Sequence, residues 1–237
     1  ENLQQLNTDS MGWDHTAIES LYTLLEENGT RGFVVLIDGK IALENYWGKG
    51  ILNINPFTKK SDWYWASAGK TLTAFAIIKA KEEGFLSLSD KTSDHLGKGW
   101  TACSPQQEDA ITIWHQMTMT SGLDDGVNDP FNTKPENLIY NAAPGTRWAY
   151  HNAPYTLLDT VVASATNTNF DTYFKNKLRD KIGMNGYWTW LGDNHVYFST
   201  PKSMARFGHL ILHNGKWKEE QLLAVHDIVE MTTKSQD

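Results

Sequence analysis

Hydrophobic residues crowd most densely between Leu72 and Ala80, where Leu72, Ala74, Phe75, Ala76, Ile77, Ile78 and Ala80 occupy every side of a helix rather than one stripe. That pattern predicts a buried helix. Polar residues return at Lys79, Lys81, Glu82 and Glu83, and Gly84 supplies the stop. Upstream, Ile18, Leu21, Leu24 and Leu25 recur at helical spacing, which predicts an amphipathic helix over 13–27 ended by Gly29. The runs 32–37 and 40–46 flank Asp38-Gly39, a two-residue turn, and read as a β-hairpin. A lone hairpin is marginal in water, so further strands or a covering helix must complete it.

Past Gly84 the pattern is more broken. Residues 111–120 predict a short helix ended by Ser121-Gly122. The stretch 123–135 is polar; its Asp124, Asp125 and Asp129 fit no calcium-loop spacing, which favours a solvated loop. Pro144-Gly145 turns the chain towards a helix over 153–165, with Asn152 as its cap and Pro154 in its first turn. An amphipathic helix over 170–182 and a hairpin over 187–198, turning at 192–194, follow. Thr200-Pro201 opens a helix to His213, closed by Asn214-Gly215, and 219–233 read as helical with polar breaks.

The 237 residues suffice for one large domain or two small lobes. A net charge of −7 with scattered lysines and arginines carries no footprint for nucleic acid. No apolar run reaches the roughly 20 residues of a membrane span. Cys103 is the single cysteine, which excludes internal disulfides and cysteine-built zinc sites and leaves the compartment open. The chain opens at Glu1 without a methionine or an apolar leader, so an upstream segment is expected to have been removed. No metal or organic cofactor is implied.

Chemistry concentrates at Trp63-Tyr64-Trp65-Ala66-Ser67-Ala68-Gly69-Lys70. Ser67 and Lys70 are three apart at the start of the buried helix, so they share a face. A buried ammonium is costly unless paired or neutralised, and a serine beside a desolvated lysine is a nucleophile beside a base. The bland alternative is a capping serine and a lysine reaching solvent. A second polar cluster, Tyr150-His151-Asn152, stands at an element boundary, where the bland reading is a packed tyrosine and a helix cap.

Taken together, Ser-x-x-Lys at Ser67 and Lys70 followed by Tyr-x-Asn at Tyr150 and Asn152 resembles the serine β-lactamase and penicillin-binding-protein superfamily. The likeness is greatest to the class C β-lactamase-like branch, with its related esterases and 6-aminohexanoate-dimer hydrolases. The threonine-rich segment 111–123 and the approach 144–158 resemble that family too, so the similarity runs from about Gly32 to Thr232.

The resemblance implies an α/β (α+β) fold in which a helical lobe packs on an antiparallel-sheet lobe, with the site in the cleft between them. It divides a single domain, 1–237, into part of the α/β lobe (1–60), a mainly helical lobe (61–185) and a return towards the α/β lobe (186–237). By that resemblance Ser67 attacks an acyl carbonyl of a small-molecule ester, amide or β-lactam and forms an acyl-enzyme. Lys70 and Tyr150 would share the proton work, and Asn152 would hold the substrate amide or carbonyl. Trp65 and Trp148 are candidate walls of an apolar substrate pocket. A tyrosine or lysine starts near pKa ~10 and must come down by about 4 kcal/mol to act as a base at neutral pH.

The pattern departs from the family in one respect. A third motif, Lys-Thr-Gly or His-x-Gly on a late strand, is not found: His95-Leu96-Gly97 precedes Tyr150, and His213-Asn214-Gly215 ends a helix. The C-terminal sheet strands are therefore expected to be absent from this chain, and a second chain or a missing C-terminal segment would complete the fold. A β-lactamase-like protein that binds peptidoglycan or a partner with weak or no turnover is the alternative. Two other readings are weaker. A Gly-x-Ser-x-Gly elbow needs glycine where Trp65 stands, and the His209/His213 pair lacks a third metal ligand.

Overall fold

A computed structural model describes residues 3–235. Helix α1 (His15–Glu27) starts where the Asp14 carboxylate accepts from the Thr16 and Ala17 amides. Strands β1 (Gly32–Ile37) and β2 (Lys40–Tyr46) form the expected hairpin. Asp38 and Gly39 both have positive φ, 48° and 74°, as a two-residue hairpin turn of matching twist requires. The register slips between Val35↔Leu43 and Leu36↔Ile41, so Ala42 is an extra residue that bends β2.

Strand β3 (Trp63–Tyr64) delivers the chain to a single 3-10 turn, Ala66–Gly69, and then to helix α2 (Lys70–Glu82). This is the buried helix foreseen above: Leu72, Phe75, Ala76, Ile77, Ile78 and Ala80 are each at most 1% exposed. Each large side chain so buried is worth about 1.5–3 kcal/mol relative to exposure. Short helices α3 (Thr92–Leu96), α4 (Pro105–Glu108) and α5 (Ile113–Met117) follow. Thr112 and His115 close a capping box at the start of α5.

Helices α6 (Asn152–Thr156) and α7 (Leu158–Thr166) replace the single helix predicted over 153–165. The Gln116 amide donates to the Pro154 carbonyl across 2.7 Å, filling the acceptor that a continuous helix would offer to Leu158. The segment predicted as a helix over 170–182 is α8 (Phe170–Phe174), widening into a π-turn at Lys175–Arg179. Strands β4 (Tyr187–Leu191) and β5 (Asn194–Ser199) form the second hairpin, and β3 adds to it in the order β3-β5-β4.

Helix α9 (Pro201–Leu212), capped by the Thr200 hydroxyl, lies on β1. Gly32 permits that approach, since a Cβ there would stand 2.6 Å from Pro201 Cγ. Beyond it, the minimal hairpin β6 (Lys216–Trp217) and β7 (Glu220–Gln221) precedes α10 (Val225–Thr232), which corrects the longer helix expected over 219–233. Lys218 has a φ of 53° and turns the chain between these strands.

One core surrounds α2. It draws Leu158, Val161 and Val162 from α7, Phe170 and Phe174 from α8, Phe207 and Leu210 from α9, and Ile228 from α10. The architecture is mixed α/β with small antiparallel sheets. Among the described residues, no helix is long and apolar enough to cross a membrane.

Candidate active site

Ser67 is exposed on the 3-10 turn at the entrance to α2. Residues on either side of it hold that turn in place. The Trp65 amide donates to the Tyr197 carbonyl across 2.8 Å, and the Thr71 hydroxyl donates to the Ala68 carbonyl across 2.7 Å. Ala66, immediately before the serine, has a φ of 46°. A left-handed alanine costs roughly 1–2 kcal/mol, so the fold holds strain at the residue preceding the candidate nucleophile.

Lys70 is the first residue of α2 and is partly buried. Its ammonium donates to Asn152 Oδ1 across 2.8 Å and lies 5.1 Å from the Tyr150 ring centre and 5.6 Å from that of Tyr155. The Tyr155 hydroxyl donates to the Lys70 carbonyl across 2.8 Å. Helix α6 therefore grips both ends of Lys70, its side chain through Asn152 and its backbone through Tyr155.

Tyr150 completes the group. Burial pushes its phenol up, but hydrogen bonding with Ser67 and with Lys70, reinforced by the Lys70 charge, outweighs burial and leaves the pKa below its ordinary 10.0. Ser67, Lys70, Tyr150 and Asn152, expected together from the sequence, thus share one site. Asn152 is the first residue of α6 rather than its cap; His151 holds the cap position and makes no side-chain capping bond. A cap's side-chain oxygen would be spent on backbone amides, whereas that of Asn152 accepts from Lys70.

The two tryptophans separate. Trp148 is exposed, whereas Trp65, expected at a pocket wall, is 8% exposed and packs in the core against Tyr197 and Phe207. Its indole N–H donates to Ser199 Oγ across 2.7 Å. In this position Trp65 packs behind the turn. His151 is buried with neither ring nitrogen bonded to a protein group, and burial lowers its pKa. It makes no pair with Ser67. Among the described residues, no group of three or more His, Cys, Asp or Glu side chains is placed to hold a metal ion. Sequence reasoning missed Tyr155 and the strained Ala66. Neither carries a local signal, because each acts through a backbone group whose position the tertiary fold sets.

A central apolar helix entered through a serine turn, flanked by helices and small antiparallel sheets, defines a β-lactamase-like fold. The Beta-lactamase family model matches residues 21–236, and the chain belongs to that family. Among curated proteins it is 26% identical over 181 residues to "Putative penicillin-binding protein PbpX" of Bacillus subtilis (strain 168), covering 70% of this chain and 43% of that protein. The chain thus spans less than half the length of that relative. Among solved structures, the octameric penicillin-binding protein homologue from Pyrococcus abyssi superposes with a TM-score of 0.73 at 20% identity, covering 93% of this chain and 60% of the other. The penicillin binding protein from Bacillus halodurans gives 0.71 at 19%, covering 90% and 78%. At such identity these two structures show the fold alone.

Proposed function

We propose that the chain carries the acylation site of a serine hydrolase acting on an ester or amide carbonyl, with Ser67 as nucleophile, Tyr150 as base and Lys70 as the cation that sustains it. One arrangement carries this reading: the Lys70 ammonium, held by Asn152 at 2.8 Å, lies 5.1 Å from the Tyr150 ring centre, and the phenol beside it is held below its ordinary pKa. A phenolate so placed takes the Ser67 proton as Oγ attacks the acyl carbon. The leaving alkoxide or amine then takes the proton from Tyr150 as its bond to the carbonyl breaks, and the acyl group stays on Ser67 as an ester. Water, deprotonated by Tyr150, attacks that ester, and Tyr150 returns the proton to Ser67 Oγ as the acyl–oxygen bond breaks and the acid leaves. Lys70 compensates the phenolate charge, while Asn152 fixes Lys70 and presents its amide N–H groups to the substrate.

Intact mass before and after treatment with a fluorophosphonate tests this directly. A single adduct that is lost in Ser67→Ala supports the reading. An unchanged mass in the wild-type chain, or an adduct that survives Ser67→Ala, overturns it, the former leaving the family fold as a binding module.

A further inference from the structure

The nucleophile does not stand alone on its helix face. Counting from Ser67, positions Thr71, Ala74 and Ile78 recur at steps of three and four, so they form one stripe continuing from the serine along α2. That stripe forms one wall of a cavity of about 300 Å³, which Lys70 also lines. Met117 and Met119, from the end of α5 and just beyond it, and Met231 of α10 line it as well. Lys70 to Ile78 spans roughly 12 Å at the rise of an α-helix.

We infer that this cavity is an acyl-chain pocket, so that the site takes esters of medium-length, unbranched aliphatic acids. The proposal rests on the reading of Ser67 as nucleophile and adds the substrate class to it. Three features select a flexible apolar chain. Lys70, three residues after Ser67, lines the pocket together with Thr71, Ala74 and Ile78, so a chain that enters beside Lys70 lies along α2. The methionine thioethers are polarisable and adapt to an irregular guest, beside the flat faces of Trp114 and Tyr155 that line the same cavity. Ala74 is small and leaves the middle of the stripe open.

The far end is polar. Glu230 lines the cavity and accepts from the Lys81 ammonium across 2.8 Å, and Asp227 accepts from the same ammonium across 2.9 Å. With its charge engaged by Lys81, Glu230 closes the run of apolar wall and limits the chain length. A charged side chain of a peptide substrate would find no counter-ion in the apolar middle, where burial without a partner is costly.

The test is a series of p-nitrophenyl esters, from acetyl through butyryl and hexanoyl to octanoyl, run beside nuclear magnetic resonance of the methionine methyl groups. The expected kcat/KM rises roughly threefold to fourfold for each added methylene until the pocket is filled. In Ala74→Phe, and independently in Met231→Trp, the octanoyl-to-acetyl ratio should fall at least tenfold. Added octanoate should shift the methyl signals of Met117, Met119 and Met231 and leave that of Met184 unmoved. A flat chain-length profile without methyl shifts would overturn the pocket while leaving Ser67 as nucleophile. An octanoyl-to-acetyl ratio unchanged in both variants would overturn it too. Methyl shifts in a chain that hydrolyses none of the esters would uphold the pocket and overturn the reading of Ser67.

Discussion

The Lys70 ammonium donates to the Asn152 side-chain oxygen across 2.8 Å, joining the first residue of α2 to the first residue of α6. Two segments far apart in the chain thereby share one hydrogen bond at the site, and the orientation of Lys70 depends on it. Replacing Asn152 with Leu removes an acceptor from a partly buried cation, a change of about 1.5–3 kcal/mol. The rate of fluorophosphonate labelling at Ser67 should fall about 10- to 100-fold, the same free energy expressed as a rate. A labelling rate within twofold of wild type would show that Lys70 holds its position without Asn152.

In the proposed mechanism, Tyr150 sets the pH dependence. Its pKa is lowered, so the phenolate forms at a lower pH than in a free tyrosine. Ester hydrolysis should therefore rise with pH and level off below the ordinary tyrosine value of 10.0. Tyr150→Phe should remove that limb and lower kcat about 100- to 10,000-fold, the usual worth of a general base. A variant that keeps the limb would assign it to another group.

Behind the site, Asp159 of α7 accepts from the Thr73 hydroxyl of α2 across 3.3 Å and pairs with His195 Nδ1 across 2.7 Å. Both side chains are under 10% exposed, and the His195 ring stacks on Trp190 with centroids 4.4 Å apart. This pair ties the β4–β5 hairpin to α2. Asp159→Ala should destabilise the chain by about 1–3 kcal/mol, because it leaves the buried His195 Nδ1 without its hydrogen-bond partner. Replacing both members by apolar residues, Asp159→Leu with His195→Phe, should recover most of that loss in urea unfolding.

Glu44 of β2 meets the Lys202 ammonium of α9 at 2.9 Å and accepts from the Tyr46 hydroxyl at 2.8 Å. Burial alone would raise its pKa, but the hydrogen bonds from Lys202 and Tyr46 bring it below the ordinary value. A lowered carboxylate pKa means that the stabilisation is complete above the unfolded value near ~4.3 and is lost as pH falls through the folded value. Glu44→Gln should lower stability by about 1–2 kcal/mol near neutrality and by progressively less as pH drops below 4. Thermal melts of both proteins across that range check the convergence.

Much of the local structure was legible in the residues themselves. The apolar run Leu72–Ala80 marked the core helix, and Asp38-Gly39 marked the turn of the first hairpin. Thr200-Pro201 marked the opening of α9. Each is a choice made within a few residues, through side-chain periodicity, a positive φ or a cap. Strand β3 was invisible, since two residues carry no period and their partners, Ser199 and Phe198, lie at the far end of the chain. The split at Leu157 was equally hidden, because the Gln116 side chain that takes the Pro154 carbonyl comes from another helix.

The candidate site divides along the same line. Sequence by itself set the order and spacing of Ser67, Lys70, Tyr150 and Asn152, and with them the chemistry available. Only the tertiary structure decided how those groups meet. It turned the Asn152 oxygen to Lys70 instead of to the helix amides, brought Tyr155 onto the Lys70 carbonyl and sent Trp65 into the core. The physical reason is that a hydrogen bond or an apolar contact depends on distance in space, and α2 and α6 are brought together by the core that surrounds them.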